Sequence, residues 1–378
     1  MHLHHRLLSS FKASAPSRNG TASVVGQRSN REGDSKHQGT DPELKFPPNE
    51  KLQSVLEEGG LTIFESISDL GFFGWTPKGH YRSLAMTSAD EVKDCIQLGT
   101  IPKMIASTHT IKPKLPIRFE TALDPDQHKS HYPHGAFEIA SIHVAVKDRN
   151  VDKNFVDFCF GGSTLEILAK AKAKPEVQCL ATIVPGTNII LVVRRKDYIQ
   201  DYSSFGFQME KLATGGRFTD REDVSFVEHL QLMKVAGHSV LFSAEADAVD
   251  LNGDPVEIKS SNPHYWGTRT MFQMISSGSL NLFLGERVAG RLVDVRLQSL
   301  ASVTRDALSA VNIDALESQI KGGMDILKNE ARTGKLKEGK VMAIIFVGKT
   351  LSLVDYEDHD GVSFQILPPN EVVKSLLD

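Results

Sequence analysis

His238-Ser-Val-Leu-Phe-Ser-Ala-Glu-Ala-Asp-Ala-Val-Asp-Leu-Asn-Gly-Asp-Pro-Val-Glu-Ile-Lys-Ser260 is the stretch on which the reading of this chain turns. It reads as two strands around an Asn252-Gly253 turn, because Asn-Gly supplies the positive φ angles that tight hairpins need. Residues i and i+2 of a strand share a face, so Glu245 goes with Asp247, and Glu257 with Lys259. The flanks are apolar: Val240-Leu-Phe before, Ala248-Val249 between, Val256 and Ile258 around the last pair. Charges set in apolar strands are rarely there without a partner. A plain two-residue turn at 252–253 would pair Asp247 with Ile258 and put Glu257 and Lys259 on the opposite face. Bringing all four charges to one site requires a shift of one residue, through a longer loop or a bulge. Pro255 cannot donate to the ladder and suits such an irregularity.

Glu210, in Phe205-Gly-Phe-Gln-Met-Glu210, is the fourth carboxylate of the set. Acidic oxygens in this number suit hard divalent cations such as Mg²⁺ or Mn²⁺. Two such ions about 4 Å apart can hold the attacking and leaving oxygens of an in-line displacement at phosphorus. Without cations the arrangement is costly, since two like charges 4 Å apart repel by about 4 kcal/mol at an effective dielectric near 20. Lys259 adds a fixed positive charge that can orient a nucleophilic water or bind a phosphate oxygen. These residues point to a metal-dependent phosphodiester hydrolase.

Composition sets the frame. The chain has 378 residues, 24% charged and 40% hydrophobic, which is ordinary for a soluble globular protein. The net charge of −4 shows no global basic field for nucleic acid, though a local basic groove remains open. Cys95, Cys159 and Cys179 are scattered and odd in number, giving neither a disulfide framework nor zinc-ligand spacing. The longest apolar run, Val341–Val347, is far too short to span a bilayer, so no membrane role is expected.

Residues 1–45 are rich in Ser, Arg, Gly, Asn and His and read as a disordered tail. No acidic residue precedes Glu32, whereas Arg6, Lys12, Arg18, Arg28 and Arg31 do, and Leu3, Leu7, Leu8 and Phe11 would share a helical face. That pattern is similar to a mitochondrial targeting segment. Residues 46–378 read as a single domain. Helices are expected at 90–97, 163–172, 202–213 (carrying Glu210), from 268, and at 313–329. Strands are expected at 181–184, 188–194, 226–235, 239–249, 256–260, 282–285, 291–296, 341–347 and 352–355. Strands and helices intermix, so the expected fold is α+β, with mixed twisted β-sheets flanked by helices.

The segment Phe205-Gly-x-x-x-Glu210, the strand ending in Glu245-Ala-Asp247, the Glu257-Ile-Lys259 motif and the helix around Met271-Phe-Gln273 together resemble the DXO family of RNA decapping exoribonucleases, most of all its divergent animal members. The match covers roughly residues 155–300. The Glu-x-Asp and Glu-x-Lys pairs alone are shared with many nucleases of the PD-(D/E)xK kind, so a PD-(D/E)xK-like core is implied.

The resemblance implies that Glu210, Glu245, Asp247 and Glu257, with the main-chain carbonyl of Ile258, bind two divalent metal ions, Mg²⁺ or Mn²⁺. It implies that Lys259 touches the scissile phosphate or the attacking water, that Gln273 contacts the 5′ end of the RNA, and that Glu228 lies at another substrate-contacting position. The expected activity is decapping of incompletely capped or NAD-capped RNA, with 5′-to-3′ digestion, by a monomer in nucleus or cytoplasm, or in mitochondria if the basic N-terminus acts as a signal.

One departure stands out. The family carries an RNA-holding arginine ahead of a helix, and here that segment reads Phe158-Cys-Phe-Gly161-Gly-Ser-Thr, with Gly161 in the arginine's place. The alternative reading is therefore a protein that binds RNA 5′ ends with weak or no turnover.

Overall fold

The computed structural model describes residues 46–75, 88–98, 103–104, 107–119, 129–131, 136–170, 174–194, 199–201, 205–215, 226–261, 267–356 and 367–378. The expectations for residues 1–45 lie outside them. The strands, in chain order, are β1 (Phe64–Trp75), β2 (Ile96–Leu98), β3 (Ile117–Arg118), β4 (Lys129–His131), β5 (Phe158–Phe160), β6 (Lys174–Ile183), β7 (Ile190–Arg194), β8 (Ile199–Asp201), β9 (Phe226–Val235), β10 (His238–Glu245), β11 (Ala248–Val249), β12 (Pro255–Ser261), β13 (Asn281–Val288), β14 (Arg291–Ser299), β15 (Met342–Val347) and β16 (Thr350–Asp355). The helices are α1 (Glu50–Glu58), α2 (Ala89–Lys93), α3 (Thr108–Ile111), α4 (Ala136–His143), α5 (Gly162–Lys170), α6 (Phe205–Thr214), α7 (Thr268–Ser277), α8 (Leu300–Leu308), α9 (Ile313–Arg332) and α10 (Asn370–Leu377).

A nine-stranded mixed sheet forms the centre, in the order β16-β15-β6-β7-β5-β10-β9-β1-β2. Its middle strands β7, β5 and β10 run parallel. Strands buried on both faces read as continuous apolar runs, and the alternation here separates two cores. Phe158, Phe160, Val240 and Phe242 face one core with residues of α1, α5, α7, α8 and α9. Cys159, Leu191 and Leu241 face the other, with residues of α2, α4 and α10. The fold is thus α+β, with helices on both faces of a mixed sheet.

A second, five-stranded sheet, β11-β12-β13-β14-β3, continues from the first. Its β12 and β13 are parallel and joined by α7, a β-α-β crossover. Helix α6 buries Met209 and Ala213, one turn apart, against Ile258, Phe283 and Val295 of this sheet. It ends at Thr214, whose hydroxyl donates to the Glu210 carbonyl (2.8 Å), and Gly215 follows at φ +76°.

The hairpin expectation is met. Ala248 pairs with Val256 and Val249 with Pro255, a register one residue off the plain two-residue turn. The loop is built on Asp250: its carbonyl accepts from the Gly253 N–H (3.1 Å), and its carboxylate accepts from the N–H groups of Asn252 (2.8 Å) and Asp254 (3.1 Å). Gly253 takes φ +87°, so the shift is a turn closed by a left-handed glycine.

The expected strand 239–249 is not continuous. It breaks after Glu245 and resumes at Ala248 in the other sheet. The Ala246 N–H still bonds the Val227 carbonyl of the first sheet (2.8 Å), while Asp247 turns its carboxylate to the Ile258 N–H of the second (2.7 Å). The helix expected over 90–97 stops at Lys93, because Ile96–Leu98 are taken as an edge strand beside Phe73–Trp75.

Candidate active site

The break between the sheets is where the acids meet. Glu245 ends β10, Asp247 lies in the crossing, Glu257 and Lys259 stand on β12, and Glu210 reaches in from α6. Carrying the register on by one residue sets Asp247 opposite Glu257. Lys259 Nζ bonds Glu257 Oε1 and lies 3.9 Å from Asp247 Oδ2. That same Asp247 oxygen accepts the Ile258 N–H, so Ile258 is fixed beside the acids. Asp247 and Glu257 are both buried, at 9% and 4% exposure.

Electrostatics ties the group together. Burial, then repulsion by Glu245, pushes the Glu210 carboxyl up to about 8, with Lys259 opposing and Glu257 adding. Burial and the charge of Glu257 hold Asp247 well above the ordinary carboxylate value; Lys259 offsets this, while Glu210 and Glu245 add to it. Burial works to lower the Lys259 pKa, but Glu257 and Asp247 raise it on balance, so the ammonium is firmly charged. Glu210 and Asp247 are thus each raised by neighbouring acids, and the one ammonium of Lys259 offsets this only in part. Among the described residues no three His, Cys, Asp or Glu side chains form a ready-made ligand cage. Lys259 lies between Glu257 and Asp247 instead. The donor set nonetheless fits a hard divalent cation: it is all oxygen, and its negative charge is only partly balanced.

The remaining expected positions lie around this group. Glu228 is directly across from Glu245 in the β9–β10 ladder and is 2% exposed. The Ser243 hydroxyl donates to Glu228 Oε2 (2.7 Å), and since its proton is committed there, Ser141 of α4 donates to Ser243 (2.7 Å). Gly161 precedes α5. A Cβ there would stand 3.1 Å from the Ser243 carbonyl oxygen, so the loop lies tight against β10. At Gly162 a Cβ would come within 2.4 Å of the Phe272 carbonyl oxygen and of Ser276 Oγ, so this glycine lets α5 and α7 touch. Gln273 is on α7, its carbonyl accepting the Ser276 hydroxyl (2.9 Å).

Ser277 was not singled out from sequence, yet its hydroxyl faces Glu257 Oε2 at 3.5 Å and contacts Ser279 Oγ at 2.9 Å. Nor were His229 and Gln231, both fully buried on β9. The signal for them was polar residues set among the apolar ones of Val227–Val235 (Glu228, His229, Gln231 and Lys234), which demand internal partners where they are buried.

No family model matches the chain, and no curated protein matches it. Solved structures do. Candida albicans Rai1 in complex with pU5-Mn²⁺ superposes with a TM-score of 0.54 at 11% identity, over 82% of this chain and 95% of that one. K. lactis Dxo1 in complex with manganese gives 0.53 at 13%, over 79% and 92%. Scheffersomyces stipitis Rai1 in complex with (3′-NADP)⁺ and calcium ion gives 0.54 at 12%, over 82% and 96%. The chain has the Rai1/Dxo1 fold across most of its length, in line with the expected nuclease architecture.

Proposed function

We propose that this chain is a divalent-metal-dependent hydrolase of RNA 5′ ends. The observation that carries the reading is the meeting of Glu210, Glu245, Asp247, Glu257 and Lys259 at the junction of two sheets, where burial and mutual repulsion raise the proton affinity of Glu210 and Asp247. Its support from outside the site is the shared fold with Rai1 and Dxo1, crystallised with RNA or nucleotide ligands and with manganese or calcium. The substrates we assign are incompletely capped or NAD-capped RNAs, followed by 5′-to-3′ digestion of the exposed strand.

In this reading Glu210, Glu245, Asp247 and Glu257 hold two Mg²⁺ or Mn²⁺ ions, together with the Ile258 carbonyl. Bound there, the ions would supply a lowered water pKa and charge neutralisation at phosphorus. The chain's own residues do the rest. Lys259 leaves its pairing with Glu257 to bear on the phosphate or the water. Asp247, with Oδ2 committed to the Ile258 N–H, presents a fixed carboxylate rather than a mobile one. Glu228 and Gln273 position the 5′ terminus. No helix among the described residues is long and apolar enough to cross a membrane.

The test is incubation of the purified protein with RNAs bearing triphosphate, unmethylated-cap, NAD and monophosphate 5′ ends, with Mg²⁺, Mn²⁺ or EDTA. The expected result is metal-dependent release of a 5′ fragment, abolished by Glu245→Ala. Equal product in EDTA, or from the variant, would refute the reading. A second reading is favoured by Gly161: a glycine closely packed against Ser243 supplies no guanidinium for RNA. Tight binding of capped RNA without metal-dependent product would select that binding role.

A further inference from the structure

Helix α7 ends inside the protein, so its last carbonyls need partners other than water. Two buried side chains of β9 provide them. Gln231 Nε2 donates to the carbonyls of Ile275 (3.1 Å) and Ser276 (2.9 Å). His229 Nδ1 lies 2.7 Å from the Ser277 carbonyl oxygen, and its Nε2 lies 2.9 Å from Asp69 Oδ1. The Ser277 carbonyl and an ionised Asp69 carboxylate can only accept, so both ring nitrogens donate, Nδ1 to Ser277 and Nε2 to Asp69. Phe72 stacks on the ring, with centroids 4.3 Å apart. Gly278, at φ +68°, ends the helix directly over this ring: a Cβ there would meet His229 Cε1 at 2.9 Å and Gln231 Oε1 at 3.1 Å.

The opposite side of that last turn faces the site. Ser277 Oγ is 3.5 Å from Glu257 Oε2, beyond a firm O–H···O bond, and also faces Ser279 Oγ at 2.9 Å and the Met274 carbonyl at 3.4 Å, so a small rotation of the turn decides which of them its one proton serves. Gln273 lies four residues earlier, on the same helical face as Ser277. Along its length α7 is held by Met271, Phe272, Met274 and Ile275 in the core and by Gly162 of α5; the bonds from His229 and Gln231 place its last turn.

Resting on the functional reading above, we propose that His229 and Gln231 are positioning residues for the site. They hold the last turn of α7 so that Ser277 orients Glu257 and Gln273 is presented to the RNA end, and Asp69 holds the histidine in turn. Burial works to raise the Asp69 pKa, but the hydrogen bond and charge of His229, the Gly71 N–H and Arg149 keep it below the ordinary carboxylate value, as a charged anchor should be.

The test uses the full chain with His229→Phe (which keeps the stacking), Gln231→Leu, His229→Asn and Asp69→Asn. Removing a side chain that orients a metal ligand typically costs about 10–100-fold in metal affinity or activity. Mn²⁺ titration by calorimetry should show about a tenfold weaker Kd for His229→Phe and Gln231→Leu. Their kcat should fall by about tenfold or more. His229→Asn, whose amide can donate to the Ser277 carbonyl, should recover most of both. Variants with lowered melting temperature but wild-type Mn²⁺ affinity and kcat would overturn the proposal. If His229→Phe fails to fold, Asp69→Asn, altered at a half-exposed position, decides: unchanged Mn²⁺ affinity and kcat there also overturn it. A wild-type protein that neither binds Mn²⁺ nor cleaves RNA sinks the functional reading instead, and is distinguishable from these outcomes.

Discussion

Replacing Glu245 with glutamine removes one negative charge from the group and leaves its shape nearly unchanged. The Glu210 carboxyl is raised from 4.5 to about 8, by burial first and Glu245 second. A tenfold change in proton affinity corresponds to about 1.4 kcal/mol, so the rise as a whole is worth about 5 kcal/mol, with burial the larger cause and Glu245 the next. A carboxylate with a raised folded-state pKa is protonated at no cost below pH 4.5, and it reduces stability progressively as pH climbs towards 8. The wild-type protein in EDTA should therefore match Glu245→Gln in melting temperature near pH 5. At pH 8.5 the variant should melt higher, by about 2–4 °C at the scale expected for large domains. Saturating Mg²⁺ should reverse the order, since a ligand at 100 times its Kd stabilises by about 2.7 kcal/mol and the variant binds it poorly. The assay is a thermal melt at both pH values with and without metal, beside RNA cleavage. A variant destabilised equally at pH 5 and pH 8.5, with no inversion by Mg²⁺, would refute the electrostatic account of the site.

Lys259→Met should abolish cleavage and, by leaving Glu257 and Asp247 without their ammonium, destabilise the EDTA-treated protein by about 3–5 kcal/mol in urea melts. Asp247→Asn keeps an oxygen for the Ile258 N–H and should lose activity with little loss of stability, whereas Asp247→Ala should cost about 1–3 kcal/mol more, measured the same way. Gly162→Ala forces a methyl group into Phe272 and Ser276 and should lower stability by about 1–3 kcal/mol by chemical denaturation. Gly161→Arg needs the Ser243 carbonyl to yield by a few tenths of an ångström; it should tighten binding of 5′-phosphorylated RNA and steepen its log–log salt dependence by about 0.7, read by fluorescence anisotropy.

The parts legible in the sequence were those where local chemistry dictates geometry. The shifted hairpin followed from face-sharing of Glu245, Asp247, Glu257 and Lys259 and from Pro255, and the structure has that register. The amphipathic run from Ile313 gives α9, which buries Leu316, Ile320, Met324 and Leu327. Other parts depend on partners distant in sequence. The 12-residue strand β1 does not alternate cleanly, because Gly71 at φ +84° and two register shifts against β9 break its period. The change of sheet at Ala246-Asp247 is hidden inside a run that alternates as one strand would; only the ladders with Val227 and Ile258 decide it. His229 and Gln231 carried a signal, but their partners on α7 are more than 40 residues away.

That change of sheet explains how so many acids can be set so close. Strand β10 is paired with β5 as far as Phe242 and with β9 as far as Glu245, and β12 is paired with β11 and β13. The two residues between β10 and β11 each keep a hydrogen bond to a regular strand, so Glu245, Asp247 and Glu257 are fixed by ladders rather than by a loop. A loop would let the carboxylates relax apart and shed their repulsion. Ladders oppose that relaxation and keep Asp247 and Glu257 buried, and the raised pKa values of Asp247, and of Glu210 reaching in from α6, are the consequence. The strain is therefore a property of the architecture rather than of one misplaced side chain, and it is relieved by added positive charge rather than by repacking.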